Sequence, residues 1–174
     1  STPIFTVPRG WRLSMGEAMK SFLESDFTKG AIKREVHGVL EWSELDWRIY
    51  QAMREDARRE FAVVGREVGA YSTTVKTHFY EKVLPCCIVT HYFFPKGYDF
   101  YDKAFLRIHT EYEKSIVGAL EKLPCTTYVF PLERGLLLNI FHESINEIMV
   151  MVQKMEEVGI IDDYLLFVPL KYVI

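Results

Sequence analysis

The sequence lacks the features that mark secreted and membrane proteins. It has only three cysteines, an odd number too low for a disulfide framework, and this usage suits a reducing, cytoplasmic compartment. No apolar run approaches the roughly 18 residues that a transmembrane helix needs, and the chain opens without a signal sequence. We therefore expect a soluble protein with no membrane partner.

Motifs for catalysis and metal binding are missing as well. There is no Ser-His-Asp pattern, no glycine-rich phosphate loop and no Cys-x-x-Cys spacing. The five histidines form no HxxxH or similar pair, and the adjacent Cys86 and Cys87 also lack metal-ligand spacing. The sequence therefore predicts no catalytic residues, no metal and no cofactor, and we do not expect an enzyme.

The composition is that of an ordinary folded protein, with 49% hydrophobic and 26% charged residues. The formal net charge is −3. The C-terminal half is the acidic part, because residues 83–174 hold eight Lys or Arg and twelve Asp or Glu. An acidic surface repels nucleic acid. Any contact with DNA must therefore come from basic residues further upstream.

Residues 1–42 are predicted to be an N-terminal extension with a short strand and an amphipathic helix. The segment PIFTVP, residues 3–8, is an extended stretch bounded by prolines. Ser14 and Glu17 form a capping-box pattern, and the apolar residues that follow have helical spacing. This pattern predicts a helix over 14–25.

Residues 43–85 have the pattern of three short helices, with a tight turn between the second and the third. The first helix is predicted over 44–55 from its apolar stripe, and Gly69 ends the second. Ser72 is placed to cap the third helix, and Pro85 marks its end. This arrangement is a helix-turn-helix, of winged-helix-like type.

From residue 86 the pattern changes to strands. The segment CIVTHYFF, 87–94, and the turn chemistry after it predict a linker strand and turn over 86–102. Residues 103–174 follow the order β-α-β-β-α-β, which is the ferredoxin-like arrangement, and Ser144 with Glu147 predicts a capping box on the second helix. Right-handed crossovers place both helices on one face of an antiparallel sheet. The predicted fold class is therefore α+β.

Several short motifs carry a resemblance to a known family. They are Leu45–Asp46 at the start of the first helix, REVGAYSTTV at the turn, residues 66–75, and Gly97–Tyr98 before the first strand of the second domain. With the order of elements, they make residues 43–174 similar to the leucine-responsive regulatory protein/AsnC (Lrp/AsnC) family. The resemblance implies a DNA-binding transcription regulator that dimerises through its C-terminal sheet domain.

The resemblance also implies that the start of the third helix enters the major groove of double-stranded DNA. With Val75 and Phe79 turned inward, hydroxyl and basic side chains face outward, toward phosphates or base edges. The candidate DNA-binding residues on this helix are Ser72, Thr73, Thr74, Lys76, Thr77 and His78. Further candidates, for phosphate contacts, are Arg58, Arg59 and Arg66. The alternatives are a solvated helix face for the first group and solvated ion pairs for the arginines, because acidic residues interleave with them.

A homo-oligomer and a small-molecule effector are the other partners that the resemblance implies. We expect an effector at a subunit interface near the turn between the second and third strands of the C-terminal domain, around Glu133, Arg134 and Gly135. The sheet face opposite the helices is predicted to be apolar and uncovered, which usually marks an interface. The residues assigned to this face are Phe105, Tyr128, Phe130, Leu136, Leu138, Phe141, Leu165 and Phe167.

Two other functions stay open. Siroheme decarboxylases share the two-domain layout, and histidines with aromatic residues could line a tetrapyrrole pocket, but only fold-level analogy supports this. The third function is a non-enzymatic oligomerisation module whose helix-turn-helix no longer binds DNA. The acidic net charge favours this module over the enzyme.

Overall fold

A computed structural model of the chain describes residues 2–35, 38–87 and 92–169. The chain divides into two units, one formed by residues 1–36 with 92–174 and the other by residues 37–91. From the sequence, residues 1–42 were predicted to be an extension separate from both domains. In the structure, residues 2–35 belong to the sheet unit.

Elements are numbered along the whole chain. The strands, all in the sheet unit, are β1 Ile4–Phe5, β2 Asp102–His109, β3 Tyr128–Pro131, β4 Leu136–His142 and β5 Asp163–Phe167. The helices of the sheet unit are α1 Met15–Leu23, α5 Glu113–Leu120 and α6 Ile145–Glu157. The other unit contains α2 Glu44–Met53, α3 Phe61–Val68 and α4 Ser72–His78.

The sheet has the strand order β1-β3-β4-β2-β5, and every neighbouring pair is antiparallel. The elements from β2 to β5 alternate as β-α-β-β-α-β, so the predicted ferredoxin-like arrangement and the α+β class are confirmed. The N-terminal strand adds a fifth strand at one edge, where Ile4 lies opposite Val129.

The core of the sheet unit lies between the helices and one face of the sheet. Ala104, Leu106 and Ile108 alternate along β2 on this face, as the sequence predicted, and all three are fully buried. Helix α1 contributes four side chains to the same core: Met15, Ala18, Met19 and Phe22. Ser14 and Glu17 form the predicted capping box at its start.

The outer face of the sheet is apolar but partly covered, which corrects the prediction. Leu136 and Leu138 point to the helix side, because they alternate with Leu137, and they were wrongly assigned to the outer face. Phe141 lies on the outer face but is buried against Phe94, with ring centroids 4.6 Å apart. The assigned outer-face residues that are half-buried or exposed are Phe105, Tyr128, Phe130, Leu165 and Phe167.

The predicted linker strand is not present in its described part. Residues 92–94 of the segment 87–94 form no strand, and residues 88–91 lie outside the described residues. Instead, Tyr92, Phe94 and Tyr98 use their rings to cover the outer face of the sheet. Contacts between aromatic rings, together with two hydrogen bonds between Phe93 and Thr126, therefore hold this segment in place of strand pairing.

A second predicted cap also differs. Ser144 is the N-cap of α6, but its side chain makes no capping hydrogen bond. The amide of Glu147 donates to the main-chain carbonyl of Ser144 at 3.2 Å, and the Glu147 carboxyl group is half-buried. Burial and the neighbouring Glu143 raise the pKa of Glu147. A carboxyl group drawn into the unit in this way cannot complete a capping box at the surface.

Candidate nucleic-acid interface

The helix-turn-helix unit is built around a small apolar core. Residues 38–87, the described part of this unit, contain α2, α3 and α4 and no β-strand, so this part shows no wing. Gly69 ends α3 with φ of +69°, a left-handed conformation that suits glycine, and this confirms the predicted turn. The side chains that fill the core are Ile49, Met53, Val64, Val68, Val75, Phe79 and Val83.

Helix α4 presents one apolar and one polar face. Val75 of α4 is buried, as predicted, and so are Phe79 and Val83 in the turn that continues it, and these side chains pack against the other two helices. The opposite face exposes Ser72, Thr73, Lys76 and Thr77 to solvent, while Thr74 and His78 are half-buried at its flanks. The structure therefore brings the candidate residues of this helix together on one side of the unit.

The start of α4 differs from the prediction in one residue. Tyr71 is the N-cap, with extended backbone angles, and Ser72 is the first helical residue. The Tyr71 carbonyl accepts the first helical hydrogen bond, from the amide of Val75 at 3.0 Å. No side chain caps this end of the helix. The first amides of α4 therefore lack a partner of the kind that Ser14 supplies at the start of α1.

The helical path continues beyond His78 with a change of winding. Residues Phe79–Val83 form a π-helical turn, and Leu84–Cys86 form a 3₁₀ turn that includes Pro85. Pro85 thus marks the end of the helical segment, as predicted. Wide turns of this type often occur at functional sites. Spacing of apolar residues alone cannot reveal such a turn.

His78 has a partner inside the unit. Its Nδ1 lies 2.7 Å from Oδ1 of Asp46, a buried residue of α2. Asp46 is also the third helical residue of a capping box, since its Oδ2 accepts from the Ser43 amide at 2.8 Å and its own amide donates to Ser43 Oγ at 3.2 Å. Burial opposes ionisation of Asp46, but hydrogen bonds from Ser43 and His78 outweigh it, and its pKa is lowered.

The three candidate arginines fall into two groups. Arg59 is paired with Glu67 and also donates to the Ala52 carbonyl at 2.7 Å, so its guanidinium is held within the unit. The side chains of Arg58 and Arg66 are exposed, and no carboxylate in the described ranges forms an ion pair with either. Of the three, Arg58 and Arg66 keep their charge free for an external anion.

Two exposed aromatic residues flank α4, and they were not among the DNA-binding residues predicted from the sequence. Tyr71 is 85% exposed and Tyr80 is 52% exposed. The Tyr80 ring packs edge-on against Phe61 and Phe79, with centroids 5.7 and 5.3 Å away, which fixes its position on the surface. The signal in the sequence was that neither tyrosine falls on the apolar stripe formed by Val75, Phe79 and Val83.

The residues proposed for effector binding lie on the turn between β3 and β4. Glu133 and Arg134 are exposed, whereas Gly135 is buried, with φ of +85°. The Gly135 carbonyl already accepts a hydrogen bond, at 2.9 Å, from Nη2 of Arg34 in the N-terminal segment. The turn is therefore partly occupied by another part of the same chain.

Within the described ranges, no three His, Cys, Asp or Glu side chains come together in a way that could hold a metal ion. Cys86 is exposed and Cys87 half-buried, and both are free thiols. No described helix has the length and apolar character needed to cross a membrane.

No family model matches the chain, and no curated protein matches it by sequence. Its fold is similar to solved structures of transcription regulators. LrpC of B. subtilis superposes with a TM-score of 0.56 and 14% identity, over 76% of this chain and 97% of that one. A regulator from Neisseria meningitidis, solved in complex with L-Met, gives 0.55 and 16%, over 76% and 92%. An AsnC family regulator from Agrobacterium tumefaciens gives 0.53 and 18%, also over 76% and 92%.

These likenesses show the fold of the chain. It is the fold of AsnC/Lrp-type regulators, a helix-turn-helix unit together with a ferredoxin-like sheet unit. The neighbours from Neisseria meningitidis and Agrobacterium tumefaciens are named as transcriptional regulators.

Proposed function

We propose that the protein is a DNA-binding transcription regulator that uses α4 as its recognition helix and dimerises through its sheet unit. The observation that carries this proposal is the polar face of α4, where Thr73, Lys76 and Thr77 are exposed above a buried apolar stripe. Hydroxyl groups and a single cation on one helix face suit both base edges and phosphates. The fold shared with regulators supports the same function.

The DNA contact is proposed to have three parts. Thr73, Thr74 and Thr77 face base edges, Lys76 contacts a phosphate, and the exposed Arg58 and Arg66 add phosphate contacts. The remaining candidates contribute indirectly or at the margin. Ser72 lies at the helix start, whereas His78 and Arg59 stabilise the unit through their pairs with Asp46 and Glu67. Two such helices in a dimer would meet half-sites about one turn of DNA apart.

We predict that Lys76→Ala weakens binding to every DNA sequence and lowers the salt slope of the affinity by about one. Thr73→Ala or Thr74→Ala should instead cost about 1–3 kcal/mol at particular base pairs. The DNA is obtained by selecting bound sequences from a random pool, and affinity is measured by gel shift at several salt concentrations. Lys154→Ala, which removes an exposed lysine of α6, is the control.

The triple replacement of Thr73, Thr74 and Lys76 by Ala is the decisive variant. All three side chains lie outside the buried core of the unit, so the variant should fold with an unchanged circular dichroism spectrum. Its footprint on the selected site should disappear. Unchanged protection by the folded triple variant would refute the recognition helix.

The proposed dimer forms through the exposed part of the outer sheet face. Phe167 is 54% exposed, and it lies opposite Phe105 on the neighbouring strand. Apolar side chains grouped on one open sheet face usually mark an interface. An edge strand such as β5 also leaves main-chain groups free for pairing.

We predict that Phe167→Glu shifts the protein from dimer, or larger ring, to monomer, because the carboxylate would be buried without a partner in the interface. Light scattering at micromolar concentration measures the change. Val158→Glu places the same charge at another exposed apolar position of the sheet unit and should leave the mass unchanged. A wild-type chain that is already monomeric would contradict the proposed interface.

A second candidate function is an oligomerisation module that does not bind DNA. The observation in its favour is that two of the basic candidates, Arg59 and His78, are engaged with carboxylates of their own unit. In that case selection from a random pool would enrich no sequence and show no salt-dependent binding, while light scattering would still show a dimer or larger assembly.

A further inference from the structure

The N-terminal segment from residue 28 to 34, called the strap below, is fastened to the start of helix α5. The amide of Thr28 donates to Ser115 Oγ at 2.9 Å, and the amide of Gly30 donates to the Glu111 carbonyl at 2.8 Å. In return, the Gly30 carbonyl accepts from the amide of Lys114 at 3.0 Å. The strap therefore supplies an acceptor to the first turn of a helix whose N-cap has no side-chain hydrogen bond.

The strap ends in an arginine whose hydrogen-bonding capacity is fully used. Nε of Arg34 donates to the Leu132 carbonyl at 2.8 Å. Nη1 donates to the Ile32 carbonyl at 2.6 Å and to the Glu113 carboxylate. Nη2 donates to the other Glu113 oxygen at 2.6 Å and to the Gly135 carbonyl at 2.9 Å. A guanidinium has five N–H donors, so this set of acceptors matches it completely.

Most of these acceptors belong to the sheet unit outside the strap. Glu113 is the first residue of α5 and is only 4% exposed. The other two acceptors outside the strap are main-chain carbonyls of the β3–β4 turn. At Gly135 the turn lies directly against β2, because a Cβ atom there would be 2.0 Å from the Ile108 carbonyl oxygen. A buried carboxylate beside two main-chain carbonyls matches the donor geometry of a planar guanidinium.

The pKa of Glu113 agrees with these hydrogen bonds. Burial opposes ionisation of Glu113, but hydrogen bonds from Arg34 and from the amide of Ile32 outweigh it, so the pKa of Glu113 is lowered. The carboxylate is thus charged at neutral pH and requires a cation. A buried carboxylate left without its cation is strongly unfavourable.

We propose that Glu113 and the β3–β4 turn form a guanidinium-binding site that Arg34 fills from within the same chain, and that a free alkylguanidinium ion enters the site when Arg34 leaves it. The proposal deepens the expectation that an effector binds around Glu133, Arg134 and Gly135 and rests on it, since it assigns the ligand of the turn to the guanidino class. A tethered ligand has an effective concentration in the millimolar range or above. The intact strap therefore keeps the site closed to dilute ligand.

The test uses the full chain with Arg34→Ala and methylguanidinium at low millimolar concentration. The variant should melt at a lower temperature than the wild type. Methylguanidinium should raise its melting temperature by about 3–6 °C, the shift expected for a tenfold excess over the dissociation constant in a chain of this size. The wild type should not respond, because Arg34 occupies the site.

Two controls test whether the site selects a guanidinium ion and whether Glu113 binds it. Methylammonium carries the same charge but cannot span the carboxylate and both carbonyls, so it should not stabilise the Arg34→Ala variant. Adding Glu113→Gln to that variant should abolish the response to methylguanidinium. An equal response to both ions, or a response that survives Glu113→Gln, or none at all in Arg34→Ala, would overturn the proposal.

Arg34→Lys serves if Arg34→Ala does not fold. It keeps an ammonium near Glu113 but cannot supply the donors of the guanidinium, so methylguanidinium should still raise its melting temperature, at a higher concentration than Arg34→Ala would need, and methylammonium should not. Gel shift on selected DNA separates this proposal from the proposed function. If Arg34→Ala does not respond to methylguanidinium but the protein still binds the selected DNA, only the guanidinium site is rejected. If the protein binds no DNA but Arg34→Ala responds to methylguanidinium, only the DNA-binding function is rejected.

Discussion

Asp46→Ala is expected to unfold the helix-turn-helix unit while the sheet unit stays folded. The substitution removes the capping box of α2 and leaves His78 of α4 without its partner, so two helices lose a common anchor. We estimate the loss at about 2–4 kcal/mol from the cap and the hydrogen bond together. A unit as small as residues 38–87 has little stability in reserve.

Tryptophan fluorescence during urea unfolding measures this change. Trp42 and Trp47 lie in the helix-turn-helix unit, and Trp11 lies in the sheet unit, so a Trp11→Phe background makes the signal specific. Glu44→Ala, at an exposed position in the same first turn, is the control and should change stability by no more than about 0.5 kcal/mol. An unfolding midpoint for Asp46→Ala equal to that of the control would show that the hydrogen bonds of Asp46 to Ser43 and His78 do not stabilise the unit.

The same pair predicts the response to acid. Because the folded-state pKa of Asp46 is lowered, its contribution to stability is complete above the unfolded-state pKa and is lost as the pH falls through the folded-state pKa. The difference in stability between the wild type and Asp46→Asn should therefore shrink in acid. The selected DNA should also be released as the unit unfolds.

Phe22→Ala is expected to have the second large effect, this time on the sheet unit. Phe22 is fully buried in α1 and packs edge-on against Phe27 at 5.7 Å. Truncating a buried phenylalanine costs about 3–5 kcal/mol through lost contacts and the cavity left behind. The melting temperature should fall by about 10 °C in a chain of this length.

Calorimetry measures this fall, with Lys20→Ala on the exposed side of the same helix as the control. The result distinguishes two views of the N-terminal segment. If the N-terminal segment did not pack into the core, both variants would have the same melting temperature as the wild type. If its helix is part of the core, only Phe22→Ala should lose stability.

Much of the fold followed from periodicity along the sequence. The spacing of Ile49 and Met53 predicted a buried stripe on α2, and the alternation of Ala104, Leu106 and Ile108 predicted the inner face of β2. These patterns depend on contacts that repeat every two to four residues, which a single sequence displays directly.

The remainder depended on partners far apart in the chain. Arg34 contacts residues 79 to 101 positions away, and His78 contacts Asp46 at a separation of 32. No spacing rule relates such residues. The outer-face assignment of Leu136 and Leu138 failed for another reason, since a run of three leucines at 136–138 carries no alternation from which the inward face can be read.

The candidate site was predicted in outline. The exposed face of α4 appeared as expected, with Thr73, Lys76 and Thr77 outward. The internal pairing of Arg59 and His78 could not be foreseen, because the sequence shows their charge but not their nearest carboxylate. Their part in DNA binding, like that of the other candidates, stays a prediction.

The N-terminal strand β1 determines the order in which parts of the chain can fold. Ile4 pairs with Val129, so strand β1 has no partner until most of the chain has left the ribosome. The helix-turn-helix unit comes from one continuous stretch, and its local contacts form early. During that interval the apolar side of α1, with Met15, Met19 and Phe22, has no sheet to pack against and stays exposed to water.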